Sequence, residues 1–171
     1  MFTEKLLDKM FQSGNLHYQY FALHAYPLKD SLKYLPGVIR LVKEGVSYVP
    51  YFAIEKIPAS AWAIDKYQVQ LLAHFANSDF ELQNAFLNKI SGIDLSDNAM
   101  DLLVGSFGKT TDKQLLKVLQ ILDYNKTRLT PYAIRELTSL CGHADSEIAE
   151  LANSIVKAVK KTGQQAEKNI N

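Results

Sequence analysis

A single cysteine, Cys141, stands in a chain of 171 residues, so no internal disulfide can form. That scarcity fits a reducing compartment, and a cytoplasmic location is expected. Charge excess is missing too: 19 Lys and Arg against 18 Asp and Glu give a formal net charge of +1, short of what a domain gripping a phosphate backbone usually carries. Long apolar runs are also absent. The longest nearly uncharged stretch, 45–54, falls short of the roughly 20 residues a membrane-spanning helix needs, and it holds Pro50. The first residues include Glu4 and Asp8 and no apolar stretch of secretory-signal length, so they read as mature protein.

What is present suits one soluble domain: 47% hydrophobic and 22% charged residues. A chain of this length buries about 70% of the surface its unfolded form exposes, so folding requires neither metal nor disulfide; no cofactor is expected. Texture changes along the chain. Pro27, Pro36, Pro50 and Pro58, seven of the nine tyrosines and the only tryptophan, Trp62, all precede residue 77. The expectation is a single domain over 1–163 with an aromatic-rich first half, 1–76, followed by a polar, frayed tail over 164–171.

From Ser78 the apolar spacing is helical: Leu82, Ala85, Phe86, Leu87 and Ile90 recur at three- and four-residue steps after the capping pair Ser78-Asp79, and Gly92 ends the run. Leu95-Ser96-Asp97 opens a second helix carrying Met100, Leu102 and Leu103, closed by Gly105 and Gly108. The arrangement returns about 33 or 34 residues later. Thr111-Asp112 opens a helix with Leu115, Val118, Leu119 and Leu122, and Leu129-Thr130-Pro131 opens its partner with Ala133, Ile134, Leu137 and Leu140. Ala144-Asp145 then begins a third copy, with Ile148, Leu151, Ala152 and Ile155 but without a full partner helix. A cap followed by paired amphipathic helices at this period marks a stacked α-solenoid. In the first half, helices are expected over 3–11, 16–25, 36–44 and 60–76. Residues 46–57 are ambiguous: Val46-Ser47-Tyr48-Val49 suits a strand, yet Pro50 at a helix start favours a short helix, which is the reading adopted.

The segment Tyr132-Ala133-Ile134-Arg135-Glu136-Leu137-Thr138-Ser139-Leu140, preceded by a turn with Asp123 and Arg128, resembles the second helix of a HEAT-like (armadillo-type) repeat. The resemblance covers about residues 77–160, and the first helix of each pair lacks the family's proline. It implies an all-α fold of stacked antiparallel helical hairpins forming a short right-handed α-α superhelix. It also implies binding to another protein along an extended helical surface.

Residues with reactive side chains have bland explanations. His17 and His24 would share a helix face, but no further metal ligand lies near them in sequence, so both are expected as half-buried imidazoles, with His74 closer to the core. Cys141-Gly142-His143 sets a thiol near an imidazole; at the end of an apolar helix the cysteine reads as a small buried hydrophobe. Asp94, Asp97 and Asp101 suit the start of a helix, where the macrodipole favours carboxylates. Gly105-Ser106-Phe107-Gly108-Lys109-Thr110-Thr111 has two residues between its glycines where a phosphate loop has four, so it reads as a helix terminator. Lys157, Lys160, Lys161 and Lys168 complement the end of a last helix. No enzymatic constellation emerges.

Aromatics carry the functional expectation. Tyrosine pairs contact area with a hydroxyl that stays satisfied at a wet boundary. Tyr18, Tyr20, Tyr26, Tyr34, Tyr48 and Tyr51 are therefore the expected partner-binding residues of a non-enzymatic protein-binding module such as an adaptor, a chaperone or a toxin-neutralising immunity protein. The alternative is a nucleic-acid-binding helical repeat, which requires Lys109, Lys113, Lys117, Lys126, Arg128 and the C-terminal lysines on one face.

Overall fold

The computed structural model describes residues 4–26 and 31–168, and among them it contains eleven α-helices and no strand. They are α1 (Glu4–Phe11), α2 (Leu16–Ala25), α3 (Ser31–Glu44), α4 (Val49–Lys56), α5 (Ala59–Trp62), α6 (Asp65–Leu72), α7 (Phe80–Ile90), α8 (Asp97–Val104), α9 (Asp112–Tyr124), α10 (Pro131–Ser139) and α11 (Ser146–Lys168). The protein is all-α. Residues 3 and 169–171, assigned from sequence to the first helix and to the tail, lie outside the described residues.

Local chemistry sets the boundaries in the second half. Asp79, Ser96, Thr111 and Thr130 each cap a helix by accepting a hydrogen bond from a backbone N–H two or three positions into it, and Thr111 forms a full capping box with Gln114. Pro131 occupies the first turn of α10. Gly92 adopts φ +74 after α7, a conformation that strains any residue with a Cβ.

The first half differs from its sequence reading in two places. α3 begins at Ser31 rather than at Pro36, which sits inside the helix. A proline there removes one backbone hydrogen bond, and the burial of Tyr34 and Leu35 in that same early segment opposes the loss. Gly37 follows because the Phe11 ring of α1 lies 2.8 Å from where its Cβ would stand. The single helix expected over 60–76 is three pieces: α5, α6 and a 3-10 turn at Phe75–Asn77. Ile64, extended at φ −110 and ψ 114, breaks it. The carbonyl of Trp62, freed from the helical ladder, accepts from Gln68 Nε2 at 2.6 Å. Within 46–57, residues 49–56 form α4, with Pro50 in its first turn.

The helices pack in two rows. Row one runs α1, α3, α6, α8, α10 and row two runs α2, α4, α7, α9, α11, each helix touching the next in its own row. Across the rows the close partners include α1 with α2, α3 with α4, α8 with α9 and α10 with α11. The sequence reading paired α7 with α8 and α9 with α10; the closer cross-row approaches are displaced by one helix, so α11 is the partner of α10 rather than the start of an incomplete copy. Buried apolar side chains from Leu7 to Val156 form one continuous cluster through the stack. α11 continues to Lys168, past the expected boundary at residue 163.

Five buried amides tie successive pairs together. Gln68 Nε2 donates to the carbonyls of Trp62 and Asp94 (2.9 Å), while its Oε1 accepts from Ser96 N–H at 2.7 Å. Asn125 Oδ1 accepts from Leu95 N–H at 2.8 Å and its Nδ2 donates to Ile93 O. Gln19, Gln83 and Gln114 likewise hold backbone groups of a neighbouring loop or helix. Among the described residues, every side-chain hydrogen bond joining positions more than 12 apart spans 26 to 34 residues. That narrow range arises when each helix pair touches only its immediate neighbours.

Candidate protein-binding surface

Helix α2 contains no Asp, Glu, Lys or Arg in its ten residues. Asn15 Oδ1 caps it by accepting from His17 N–H at 2.9 Å. Gln19, Ala22 and Leu23 turn into the stack, leaving His17, Tyr20, Phe21 and His24 as an exposed stripe at helical spacing. On α4, Val49, Ala53 and Ile54 are buried, and Tyr48, Phe52 and Glu55 form the matching exposed stripe.

The two stripes meet. The Tyr20 ring stands edge-on to His24 (centroids 4.6 Å apart, 63°) and to Phe52 (5.3 Å, 80°), so three rings fix one another across the α2–α4 junction. Tyr48 is 70% exposed and Phe21 46%. Seven aromatic residues are exposed among the described ones, Tyr18, Tyr20, Phe21, Tyr48, Phe52, Phe80 and Tyr124, and all seven belong to row two or its caps. Five of them lie at α2 and α4. At about half exposure and roughly 200 Å² per ring, Tyr20, Phe21, Tyr48 and Phe52 present on the order of 400 Å² of aromatic surface, the size of the largest apolar patch on a typical monomer, which is often functional.

The six tyrosines named from sequence have separate positions. Tyr26 and Tyr34 are 1% and 5% exposed and belong to the core, so neither is available to a partner: their rings are large enough to fill the space between helix pairs. Tyr18 is exposed beside Leu6, Lys9 and Met10 of α1. Tyr51 is half-buried, and its hydroxyl donates to Asp79 Oδ2 at 2.7 Å, latching α4 to the cap of α7. Only Tyr20 and Tyr48 stand on the α2–α4 face. Phe21 and Phe52, its other large contributors, were not among the expected partner-binding residues, which were chosen for the tyrosine hydroxyl.

Electrostatics around this face are local. The Asp79 hydrogen bond pushes the Tyr51 phenol up to about 12, with burial and Asp79's negative charge adding to it. Asp79 is held below the ordinary carboxylate range by the hydrogen bond from Leu82 N–H and then by that from Tyr51. Glu55, the one carboxylate in the α4 stripe, pairs with Lys89 of α7 at 3.0 Å.

The reactive residues take structural or exposed positions. His17 and His24 are exposed rather than half-buried. His74 is half-buried; desolvation lowers its pKa, and the charge of Lys43 lowers it further. Cys141 is half-buried, with its Sγ 3.7 Å from the Leu137 carbonyl, and His143 Nδ1 accepts from Asp145 N–H at 3.1 Å. Asp101 accepts from Thr130 Oγ1 at 2.5 Å, which locks α8 to the cap of α10. No group of three or more His, Cys, Asp or Glu side chains able to hold a metal occurs among the described residues. None of the described helices is long and apolar enough to cross a membrane.

Row one presents a different surface. A cleft of about 490 Å³ lies between α3 and α6, lined by Arg40, Lys43, Glu44, Gln70 and His74 together with apolar side chains. Arg40 also borders the clefts on the α1 side of α3. Comparison with protein-family models, with curated proteins and with solved structures returns no match.

Proposed function

We propose that this chain is a non-enzymatic protein-binding module that docks a partner on the α2–α4 face of row two. The observation carrying this reading is the confinement, among the described residues, of all seven exposed Phe and Tyr side chains to one row, five of them at one end. Packing alone gives no reason for that asymmetry, because an exposed ring forgoes the burial that stabilises it elsewhere. Rings already held edge-on by their neighbours lose little freedom on binding, which favours affinity. The HEAT-like resemblance belongs to this proposal, as do the right-handed curvature of the stack and a cytoplasmic location. The nearest-neighbour hydrogen-bond spacing supports a repeat architecture. An adaptor, a chaperone and an immunity protein that occludes a toxin are the roles this reading admits.

The cationic residues that nucleic-acid binding would recruit are divided. Lys109 precedes α9 and donates to Asn77, while Lys126 and Arg128 follow it. The 13 residues of α9 separate these groups by about 20 Å. Lys117 is turned to Asn88 and Lys126 to Asp123.

Site-specific photocrosslinking tests the reading, with a photoreactive residue at position 20 or 52 and, as control, at exposed Asn98 of α8 on row one. A protein crosslinked from both row-two positions, and lost when Tyr48→Ala and Phe21→Ala are combined, supports it. Identical products from row-two and row-one positions, or none from either, overturn it.

A further inference from the structure

The row-one cleft between α3 and α6 combines an apolar surface with a charged one. One wall is apolar, from Pro36, Ile39, Val69 and Ala73; the polar lining holds Arg40 and Lys43. Glu44 is the one carboxylate in that lining and is shared by both cations at 3.7 and 3.8 Å, with all three side chains about half exposed. Pairs of that length and exposure are weak, so the second cation keeps unneutralised charge. Arg40 stands on the ridge between this cleft and two more on the α1 side, of about 390 and 130 Å³. An extended ligand crossing α3 therefore meets a guanidinium at its centre, apolar side chains on the α6 side, and Lys33 and Asp8 in the larger cleft on the α1 side.

We propose that this cleft binds an acidic peptide segment of a partner protein, its carboxylates at Arg40 and Lys43 and an apolar side chain against Ile39 and Val69. Charge complementarity selects the acidic segment. The apolar wall disfavours a continuous phosphate chain, which would leave that wall uncovered, whereas a peptide can place an apolar side chain on it. The guanidinium fork suits a carboxylate in bidentate geometry. This inference rests on the protein-binding reading but uses the opposite row, so the two fail separately.

The test is an NMR titration of the whole chain with three probes: a twelve-residue peptide of alternating Glu and Leu, its Gln-for-Glu counterpart, and a twelve-nucleotide oligouridine. The acidic peptide is expected to shift amides over 36–44 and 69–74. Its affinity should fall about tenfold or more for the Gln peptide and for Arg40→Glu with Lys43→Glu, and stay unchanged in Tyr20→Ala. Shifts confined to α2 and α4, equal binding of the neutral peptide, tighter binding of oligouridine, or no shift overturns the assignment. Should the double charge reversal fail to fold, Arg40→Gln read by the same shifts decides between the outcomes.

Discussion

Replacing Gln68 by methionine removes three hydrogen bonds while nearly conserving volume, which separates polar satisfaction from packing. The side chain is 2% exposed, and its amide serves Trp62 O, Asp94 O and Ser96 N–H at 2.6, 2.9 and 2.7 Å. Methionine can serve none of them. A buried donor or acceptor left unpaired costs about 1 to 3 kcal/mol. One orphaned N–H and two orphaned carbonyls, less the gain from burying a thioether in place of an amide, give a loss of about 3 kcal/mol. Urea unfolding followed by far-ultraviolet circular dichroism measures it, and hydrogen exchange at Ser96 locates it. Gln70→Met, at an exposed position of the same helix, is the control and should change stability by less than about 0.5 kcal/mol. A Gln68→Met loss no larger than the control's, or Ser96 protection unchanged, refutes the claim that these amides hold neighbouring pairs together.

Thr130→Ala removes both the α10 cap and the bond to Asp101, with an expected cost of about 2 kcal/mol; Thr130→Ser should recover most of it in the same unfolding assay. Because the Asp79 pKa is depressed in the fold, its contribution is present above the ordinary carboxylate value and lost as pH falls through the depressed one. The Tyr51 contribution is complete below pH 10 and lost as pH rises through about 12. Tyr51→Phe should therefore raise the Asp79 titration midpoint seen by carboxyl NMR, and Asp79→Asn should lower the pH at which Tyr51 ionises in phenolate absorbance; unmoved midpoints contradict the latch. Tyr48→Ala, at a 70% exposed position, should leave stability within about 0.5 kcal/mol, whereas Phe86→Ala in the core should cost about 3 to 5 kcal/mol, both by urea unfolding.

Legibility from sequence follows the range of the interaction. Caps were readable because Asp79, Ser96, Thr111 and Thr130 act on N–H groups two or three residues away. The start of α3 was not, since Pro36 signals a helix boundary locally while the burial of Tyr34 and Leu35 depends on helices distant in sequence. The α5–α6 break was hidden for a related reason: the apolar spacing from Trp62 to Phe75 runs through it, and the partner that accommodates the broken carbonyl, Gln68, looks like any surface glutamine in a helix. The tyrosines show the same limit on the functional side. Tyr20 and Tyr26 belong to one short aromatic segment, yet six residues is about 600° of helical rotation, which turns one ring to solvent and the other into the core.

The inward placement of the amides bears on why so much aromatic surface is tolerated outside. In a stack whose close contacts run between neighbouring pairs, each junction must be specified separately. Apolar contact alone leaves neighbouring helices free to slide by a turn. Gln68, Asn125 and Gln114 each reach a backbone group in the adjacent pair, and a one-turn slip of about 5.4 Å would break those bonds. Register is thus fixed by buried polar groups rather than by the outer faces of the helices. The outer stripes of α2 and α4 are then free of structural duty, and rings such as Tyr48 and Phe52 can be presented to a partner without changing how the rows pack.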